Sequence, residues 1–221
     1  MKQKRRKYRL VVFDLDGTIV DGTDSIWATL HEFLGLREHP KRLEMRKKFF
    51  SGEIDYGQWA LEDIVLLKAN GANRETIEKV ISNLRLMKGA RETLEILKSR
   101  GCKLAIISGS LNVVIENLIP DYAKLFGRIY IPRLLFDKKG EIKKIELKYD
   151  FSDKSHILRK LCDEEDVSLE ECVFVGDHYN DVKAAKIAGL SISFNSKSEE
   201  LDKTTDVVIK KKDLREILRF V

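Results

Sequence analysis

Cysteine and proline are both scarce in this sequence, with three of each among 221 residues. Cys102, Cys162 and Cys172 are odd in number, and none of them stands in a CxxC or other metal-ligand spacing. This pattern argues against a disulfide framework and against a cysteine-bound metal. We therefore expect the three cysteines to be small core or surface residues in a reducing compartment.

Long apolar runs are also missing. No run approaches the roughly 18 residues that a helix needs to span a bilayer. The basic start MKQKRRKYR lacks the apolar segment that would follow it in a secretion signal. The sequence therefore predicts a cytoplasmic protein that makes no membrane contact.

The composition that is present predicts one full core plus a small second domain, since 43% of the residues are hydrophobic. The net charge of +5 has a local origin. The first nine residues carry six positive charges and no acid: Lys2, Lys4, Arg5, Arg6, Lys7 and Arg9. Of the 41 basic residues, 35 remain outside this segment, against 36 acidic ones. Residues 1–8 are predicted to be a disordered basic arm, and nucleic-acid binding by this arm stays open.

The stretch YRLVVFDLDGTIV, residues 8–20, is the centre of the predicted fold. Its apolar residues 10–13 predict a strand buried on both faces, as in the middle of a parallel sheet. Asp14 and Asp16 follow on one side of the chain, and Gly17 allows a sharp turn. Paired acids at the carboxyl end of such a strand can hold a divalent cation, or one can attack phosphorus while the other transfers a proton. An acidic turn without chemistry and a calcium loop are the alternatives.

Residues 22–85 show helical patterns only. Start and cap signals predict four helices, with caps or first residues at Thr23 or Asp24, at Pro40, at Asp55 or Tyr56, and at Asn73. The first helix is predicted to place Ile26, Leu30 and Phe33 on one apolar face and to end near Gly35. The aromatic residues of this segment are predicted to form a small core of their own.

Strand and helix patterns alternate in the rest of the chain. Strands are predicted at 103–107, 128–131, 173–175, 190–194 and 207–209, with a hairpin at 134–149. Helices are predicted at 89–99, at 111–118, from Lys154, at 181–188 and at 213–220. This alternation predicts an α/β fold, a Rossmann-like parallel sheet with helices on both faces. We predict that residues 9–21 and 86–221 form this core domain and that residues 22–85 form a small helical cap domain.

Four motifs, in chain order, carry a resemblance to a known family. They are DLDGT at Asp14, LAIISGS with Ser108 and Gly109, the helix-opening FSDKSHIL with Lys154, and CVFVGDHYND with Asp177 and Asp181. Together they resemble the haloacid dehalogenase superfamily of phosphohydrolases. The chain is similar to the phosphoserine phosphatase-like branch, in which a cap is inserted between the first two motifs. The resemblance covers nearly the whole chain, from Arg9 to Val221.

The resemblance implies a phosphatase that hydrolyses a small phosphate monoester through an aspartyl-phosphate. It assigns the attack on phosphorus to Asp14 and the proton transfers to Asp16, whose pKa would have to exceed its ordinary value of about 3.9. It implies Mg²⁺ as cofactor, held by the carboxylates of Asp14 and Asp177, the Asp16 carbonyl and, through water, Asp181. It implies substrate contacts from Ser108, Gly109, Lys154 and Asn180.

The same residues have structural interpretations that the sequence leaves open. The serine and glycine of the second motif could form a strand-ending turn, and the lysine could be a surface residue. The two acids of the fourth motif could be a helix N-cap and a surface acid. Whether His178 and Tyr179 face the metal or substrate is also open. The other histidines are predicted to be structural or exposed: His31, His39 and His156.

The resemblance to phosphoserine phosphatases breaks in the cap. Asp63 stands where that branch has an arginine for the substrate carboxylate. Thr23, with Asp24 one place later, stands where it has a glutamate for the amino group. Phosphoserine is therefore predicted to be a poor substrate, and sugar phosphates, nucleotides and other small monoesters stay open as the phosphorylated metabolite.

Two other functions are alternatives. A phospho-accepting regulatory module without turnover would also use acids at strand ends and a lysine, although the second acid at Asp16 and the helical insertion argue against it. A phosphatase of nucleotides or polynucleotide ends would use the basic arm to hold nucleic acid. The sequence makes no prediction about the oligomeric state.

Overall fold

The computed structural model describes residues 8–221, so the predicted basic arm lies, apart from Tyr8, outside the described residues. The strands are, in chain order, β1 (Leu10–Phe13), β2 (Val20–Asp21), β3 (Arg85–Leu86), β4 (Lys103–Ile107), β5 (Arg128–Tyr130), β6 (Arg133–Phe136), β7 (Ile142–Glu146), β8 (Cys172–Gly176), β9 (Leu190–Phe194) and β10 (Val207–Ile209). Six of them form a parallel sheet in the order β10-β9-β8-β1-β4-β5, with β1 in its interior. The predicted parallel sheet is confirmed.

The helices follow or precede these strands. In chain order they are α1 (Ile26–Phe33), α2 (Pro40–Phe50), α3 (Tyr56–Ala69), α4 (Arg74–Ile81), α5 (Ala90–Ser99), α6 (Asn112–Leu118), α7 (Tyr122–Leu125), α8 (Lys154–Glu165), α9 (Val182–Ala185) and α10 (Glu199–Thr204). Short 3₁₀ helices occur at Leu169–Glu171, Tyr179–Asp181 and Leu214–Arg219.

The side chains of β1 alternate between two apolar clusters. Val11 and Phe13 pack into the larger cluster, which includes residues of α1, α4, α5 and α6. Leu10 and Val12 pack into the second cluster, which includes residues of α8. All four are fully buried, and burying each such side chain stabilises the fold by roughly 1.5–3 kcal/mol. The helices therefore cover both faces of the sheet, as the uninterrupted apolar run predicts.

The register of the central strands determines where the site forms. Phe13 at the end of β1 pairs with Ile106 of β4 on one side and with Val175 of β8 on the other. Because parallel strands point the same way, the residues that follow these three strands leave the sheet at one common edge.

Helices α1 to α4 lie between β2 and β3, which pair antiparallel. The start of α2 at Pro40 is as predicted, and the predicted caps of α3 and α4 are confirmed. Asp55 accepts a hydrogen bond from the Gln58 N–H at 2.7 Å, and Asn73 accepts one from the Thr76 N–H at 2.9 Å. The assignment of this segment as a separate cap domain stays a prediction.

The predicted cap of α1 at Thr23 or Asp24 is wrong. The N-cap position is Ser25, whose side chain makes no capping bond. Instead the Ile26 N–H, the first of the helix, donates to the Asp16 carboxylate at 2.7 Å. A side chain distant along the chain therefore replaces the local cap that the sequence pattern favours.

Other differences from the predictions lie near the ends of elements. Phe33 is 46% exposed rather than part of the buried face of α1. The segment after Asp181 forms only the single turn of α9, and the predicted last helix is a 3₁₀ helix. The hairpin of β6 and β7 is confirmed as a separate two-stranded sheet. Within residues 8–221, none of the helices has the length and apolar composition that crossing a membrane requires.

Candidate active site

The carboxyl ends of three strands bring the predicted motifs together. Asp14 follows β1, Ser108 follows β4, and Asp177 follows β8. Lys154, the first residue of α8, reaches this edge and donates hydrogen bonds to Asp14 Oδ1 at 2.7 Å and Asp181 Oδ1 at 2.6 Å. Residues far apart in the chain are therefore in direct contact at one place.

Lys154 has no solvent exposure, which excludes its interpretation as a surface residue. Burial works against its charge, but the carboxylates of Asp14 and Asp181 outweigh this effect and hold the pKa of Lys154 above its ordinary value. Taking ions out of water costs several kcal/mol each, so a buried ion pair adds little net stability compared with apolar residues of similar size. Chemistry explains this arrangement better than stability does.

The two acids of the fourth motif are buried as well. The Asp181 carboxylate accepts hydrogen bonds from the N–H groups of Asp177 at 3.0 Å and His178 at 3.1 Å. The Asp177 carboxylate accepts one from the Thr18 hydroxyl at 3.2 Å. Burial, joined by the negative charge of Asp14, raises the pKa of Asp177 and raises that of Asp181 to about 6. The surface-acid interpretation of Asp181 is therefore wrong.

Three of these carboxylates form a group that could hold a metal ion. Ligand oxygens of Asp14, Asp177 and Asp181 all lie within 4.8 Å of one another. When all three are ionised, Lys154 balances only one of their negative charges, so a divalent cation would restore neutrality. Oxygen ligands of this kind suit a hard cation such as Mg²⁺. The Asp16 carboxylate is not part of this group, which agrees with the expectation that Asp16 offers its backbone carbonyl.

The Asp16 carboxylate is directed toward the helices between β2 and β3. One oxygen accepts from the Ile26 N–H, and the other accepts from the Ser110 hydroxyl at 2.8 Å. Burial raises the pKa of Asp16 to about 6, and the charge of Asp14 adds to this, while the bonds from Ile26 and Ser110 oppose it. The direction of the shift is the one that a proton donor requires.

Ser108 and Gly109 lie in a loop that side chains of α1 and α3 hold in place. The Gly109 carbonyl accepts from the Trp27 indole N–H at 2.9 Å and from the Tyr56 hydroxyl at 3.4 Å. The Ser108 oxygen accepts from the Ser110 N–H at 3.2 Å, which leaves the Ser108 hydroxyl hydrogen available as a donor.

Two glycines allow the acids to pack closely. A Cβ atom added at Gly17 would overlap the Asp177 carboxylate, and Gly17 has a positive φ of 73° that other residues rarely adopt. A Cβ atom added at Gly176 would overlap the Asp181 side chain, although the backbone there is ordinary. At both positions a larger residue would overlap one of the acids, so glycine is required.

We expect the substitution Gly176→Ala to lower the free energy of unfolding by roughly 1–3 kcal/mol, because Asp181 is held by three hydrogen bonds and cannot move aside freely. Urea denaturation measures this change. The control is Gly127→Ala, where the added Cβ atom would meet only the Leu104 carbonyl oxygen at 4.0 Å. Equal stability of the two variants would contradict the tight packing inferred for Gly176.

A cavity of about 610 Å³ lies between this edge and the helices α1 to α3. From the sheet edge it is lined by residues of the predicted site: Asp14, Asp16, Ser108, Gly109 and Asn180. From the helices it is lined mainly by aromatic and titratable residues: Trp27, His31, Phe50, Tyr56, Trp59 and Asp63. The aromatics do pack on one another in part, since the ring centroids of Phe49 and Trp59 lie 4.4 Å apart, but four aromatics of this segment also line the cavity, which the prediction did not include.

His178 and Tyr179 line the same cavity as the predicted site residues. Burial lowers the pKa of His178. The ring of Tyr179 lies 5.9 Å from that of Phe50 on α2. This contact joins the loop after β8 to the helices on the opposite side of the cavity.

The predictions for the other histidines hold only in part. His39 is structural, since its Nδ1 accepts from the Lys41 N–H at the start of α2, and His156 is exposed. His31 is only 1% exposed and lines the cavity, so it is a further candidate for substrate contact. For the cavity residues of α3, a sequence signal does exist. Their helical spacing places four residues on one face: Tyr56, Trp59, Ala60 and Asp63.

Of the two residues considered for an amino-group contact, only Asp24 lines the cavity, and it forms an ion pair with Lys197. Thr23 bonds instead to the Thr29 hydroxyl and the Ser25 N–H. Asp63, at the place of the expected arginine, does line the cavity.

The comparisons with known proteins agree on one family. A family model for haloacid dehalogenase-like hydrolases matches residues 8–189. The chain is 33% identical to a phosphoserine phosphatase of Methanocaldococcus jannaschii over 98% of this chain and 99% of that protein. It is 30% identical to a phosphoserine phosphatase of Campylobacter jejuni subsp. doylei over 96% and 99%, respectively.

Solved structures show the same similarity. A phospho-aspartyl intermediate analogue of phosphoserine phosphatase superposes with a TM-score of 0.77 at 30% identity, over 98% of this chain and 100% of that one. A substrate-bound phosphoserine phosphatase complex superposes with a TM-score of 0.75 at 27% identity, over 98% and 99%.

Proposed function

The chain belongs to the haloacid dehalogenase-like hydrolases, in their phosphoserine phosphatase-like branch, and we propose that it hydrolyses a small phosphate monoester through an aspartyl-phosphate on Asp14, with Mg²⁺ as cofactor. The observation that carries this proposal is the contact of Asp14, at the cavity floor, with the buried Lys154 beside two further acids. We propose that the reaction takes place in the cytoplasm on a phosphorylated metabolite.

Asp14 is suited to the nucleophilic role by position. It lies at the end of the central strand, where the Asp14 N–H donates to the Val175 carbonyl at 2.9 Å and so fixes the backbone. One carboxylate oxygen contacts Lys154, and the residue also lines the cavity. In the first step an Asp14 oxygen forms a bond to phosphorus as the bond to the leaving oxygen breaks.

Asp16 is suited to the proton transfers. With its pKa raised to about 6 it is partly protonated near neutral pH, and it can give its proton to the leaving alkoxide. The resulting carboxylate can then take a proton from the water that attacks the aspartyl-phosphate. The product is inorganic phosphate, and both aspartates return to their starting states.

The residues that would hold Mg²⁺ are the carboxylates of Asp14 and Asp177 and the carbonyl of Asp16, with Asp181 acting through water. A bound divalent cation would reduce the repulsion between the Asp14 carboxylate and the phosphate dianion. The three close carboxylates fit such a hard cation by charge and by ligand type.

The phosphoryl oxygens would be bound by groups already oriented for donation. The Ser108 hydroxyl hydrogen is available as a donor. The hydrogen bonds that the Gly109 carbonyl accepts hold its loop in place. Lys154 adds positive charge. Asn180 donates one amide N–H to the Phe151 carbonyl at 3.3 Å, which leaves its second N–H for the substrate. Oriented donors of this kind are the usual basis of charge stabilisation in phosphoryl transfer.

We expect hydrolysis of para-nitrophenyl phosphate to stop when metal is removed with a chelator and to return with Mg²⁺. The substitution Asp177→Asn should raise the Mg²⁺ concentration needed for half-maximal activity at least about tenfold, because an amide binds a hard cation less well than a carboxylate does. Ca²⁺ should inhibit, since its larger and looser coordination misplaces the nucleophile.

The control for this measurement is Asp121→Asn. Asp121 is a surface acid bound to Arg91 and is not among the cavity residues, so its Mg²⁺ response should equal that of the unsubstituted protein. Full activity in the metal-stripped protein, or activation by Ca²⁺, would overturn the proposed cofactor.

A further inference from the structure

Two titratable residues stand together in the cavity without a role in the proposed chemistry. They are Asp63 on α3 and His31 on α1, which are 7% and 1% exposed. His31 Nε2 lies 3.4 Å from Asp63 Oδ1, and among residues 8–221 no lysine or arginine forms an ion pair with Asp63. We refer to them as the Asp63–His31 pair.

The hydrogen bond at the other side of the imidazole limits what His31 can do. Its Nδ1 lies 2.7 Å from the Trp27 carbonyl oxygen, and a carbonyl oxygen can only accept, so Nδ1 carries a hydrogen. In the neutral ring Nε2 is then an acceptor. Nε2 is buried and has no hydrogen-bond partner within the part of the chain that the structure describes.

A buried hydrogen-bond donor without a partner also belongs to the residues that line the cavity. The indole N–H of Trp59, one helical turn before Asp63 on α3, likewise lacks a partner within residues 8–221. Trp59 and both members of the pair line the cavity. Among the residues that line the cavity there are therefore one unused donor, the Trp59 indole N–H, and two neighbouring acceptors, His31 Nε2 and the Asp63 carboxylate.

Hydroxyl groups match such a set, because each hydroxyl donates one hydrogen bond and also accepts. A carboxylate only accepts and would meet the negative charge of Asp63 in a buried place. Leaving a buried charge unpaired costs several kcal/mol, so the mismatch selects strongly against it.

The Asp63–His31 pair belongs to the same cavity as the reacting groups. Tyr56 lines the cavity together with Asp63 and Asp16, and its hydroxyl donates to the Gly109 carbonyl of the second motif at 3.4 Å. Tyr56 and Asp63 are seven residues apart on one face of α3, which corresponds to about 10 Å along the helix.

We propose that the leaving group of the natural substrate is a hydroxyl-bearing alcohol of the polyol or sugar class that carries no carboxylate, bound by the Asp63–His31 pair and Trp59. This inference rests on the proposed phosphatase function and narrows its substrate class. A carboxylate next to the ester is selected against, although the relatives named above are phosphoserine phosphatases.

The arginines at the cavity are already engaged. Arg37 forms ion pairs with Glu32 and Glu38, the Arg42 guanidinium donates to the Arg37 carbonyl, and the Arg46 guanidinium lies 5.3 Å from the Phe50 ring centre. Arg37 and Arg46 are exposed, and water screens their charges. These two arginines do not provide the buried cation that a carboxylate would need.

The test compares three substrates of equal carbon number at one Mg²⁺ concentration: glycerol 1-phosphate, 3-phosphoglycerate and O-phosphoserine. We expect kcat/KM for glycerol 1-phosphate to exceed both others at least tenfold. In Asp63→Asn the ratio of kcat/KM for glycerol 1-phosphate to kcat/KM for either carboxylate substrate should fall at least tenfold, because the amide does not repel the substrate carboxylate. His31→Gln should lower kcat/KM for glycerol 1-phosphate while the two carboxylate substrates stay equally poor.

Para-nitrophenyl phosphate is the control substrate, since it carries neither a carboxylate nor an aliphatic hydroxyl. Its hydrolysis by the unsubstituted protein shows that the proposed function stands, and thermal unfolding of Asp63→Asn shows separately whether that variant is folded. Phosphoserine as the best substrate, or an unchanged ratio in Asp63→Asn, would overturn the inference. If the unsubstituted protein instead prefers the carboxylate substrates and Arg46→Ala abolishes that preference, the arginines recognise the substrate and the inference is overturned.

Failure of the proposed function gives a different result. In that case the unsubstituted protein would hydrolyse none of these esters, including para-nitrophenyl phosphate. The two ideas are therefore tested separately by the same set of measurements.

Discussion

Replacing Asp14 by asparagine is expected to reduce turnover of every phosphate monoester by at least about 10⁴-fold, because an amide cannot form the aspartyl-phosphate. The fold should persist. Lys154 keeps its ion pair with Asp181, so the substitution leaves no buried charge without a partner, and the repulsion among the acids decreases. Steady-state hydrolysis of para-nitrophenyl phosphate measures the loss, and thermal unfolding measures the stability.

The covalent intermediate gives this prediction a second readout. Protein quenched in acid during turnover of a ³²P-labelled ester should carry label that hydroxylamine releases, as expected of an acyl phosphate. Asp14→Asn should carry none, whereas the surface control Asp121→Asn should be labelled like the unsubstituted protein. Turnover of Asp14→Asn within tenfold of normal, after mass spectrometry has excluded deamidation, would contradict the mechanism.

Replacing Asp16 by asparagine should have the second largest effect, and it should depend on the leaving group. An alkyl alkoxide needs a proton as it departs, so kcat/KM for an alkyl phosphate should fall by about 10² to 10⁴-fold. Para-nitrophenolate leaves without a proton, so its kcat/KM should change less than about tenfold. Its kcat should still fall, because the second step needs Asp16 as a base.

The structure indicates that this variant can fold. An asparagine at this position can still accept from the Ile26 N–H, and its amide group can donate to the Ser110 oxygen that now bonds to Asp16. In the unsubstituted protein the pKa of Asp16 is raised to about 6, so its protonated fraction falls as pH rises through 6. Alkyl phosphate hydrolysis should fall with it. Equal losses on both substrate types would remove Asp16 from the proton transfers.

Much of the fold could be predicted because its causes are local. The run Leu10 to Phe13 is apolar at every position, and the structure buries it on both sides. The caps at Asp55 and Asn73 need only a side chain that reaches an N–H three residues later. Short pairings such as β2 with β3 were missed, because two residues carry no periodic pattern.

The sequence predicted which residues belong to the candidate site but not how they contact one another. Four motifs in order were enough to name Asp14, Asp16, Lys154 and the two acids after β8. Whether Lys154 is a surface residue or a buried partner of Asp14 could not be decided, because a first-turn lysine has the same local pattern in both cases. The α1 cap was wrong for a related reason, since the group that binds the Ile26 N–H comes from Asp16.

By itself the sequence determined the α/β class, the central strand and the residue types available for phosphoryl transfer, since these follow from local pattern and from motifs in order. Only the tertiary structure decided that His31, Trp59 and Asp63 line the same cavity as Asp14 and Asp16. A helical pattern shows which residues share a face, but not what that face meets. The packing of α1 and α3 over the sheet edge settles this, because contacts between distant segments direct those side chains into the cavity.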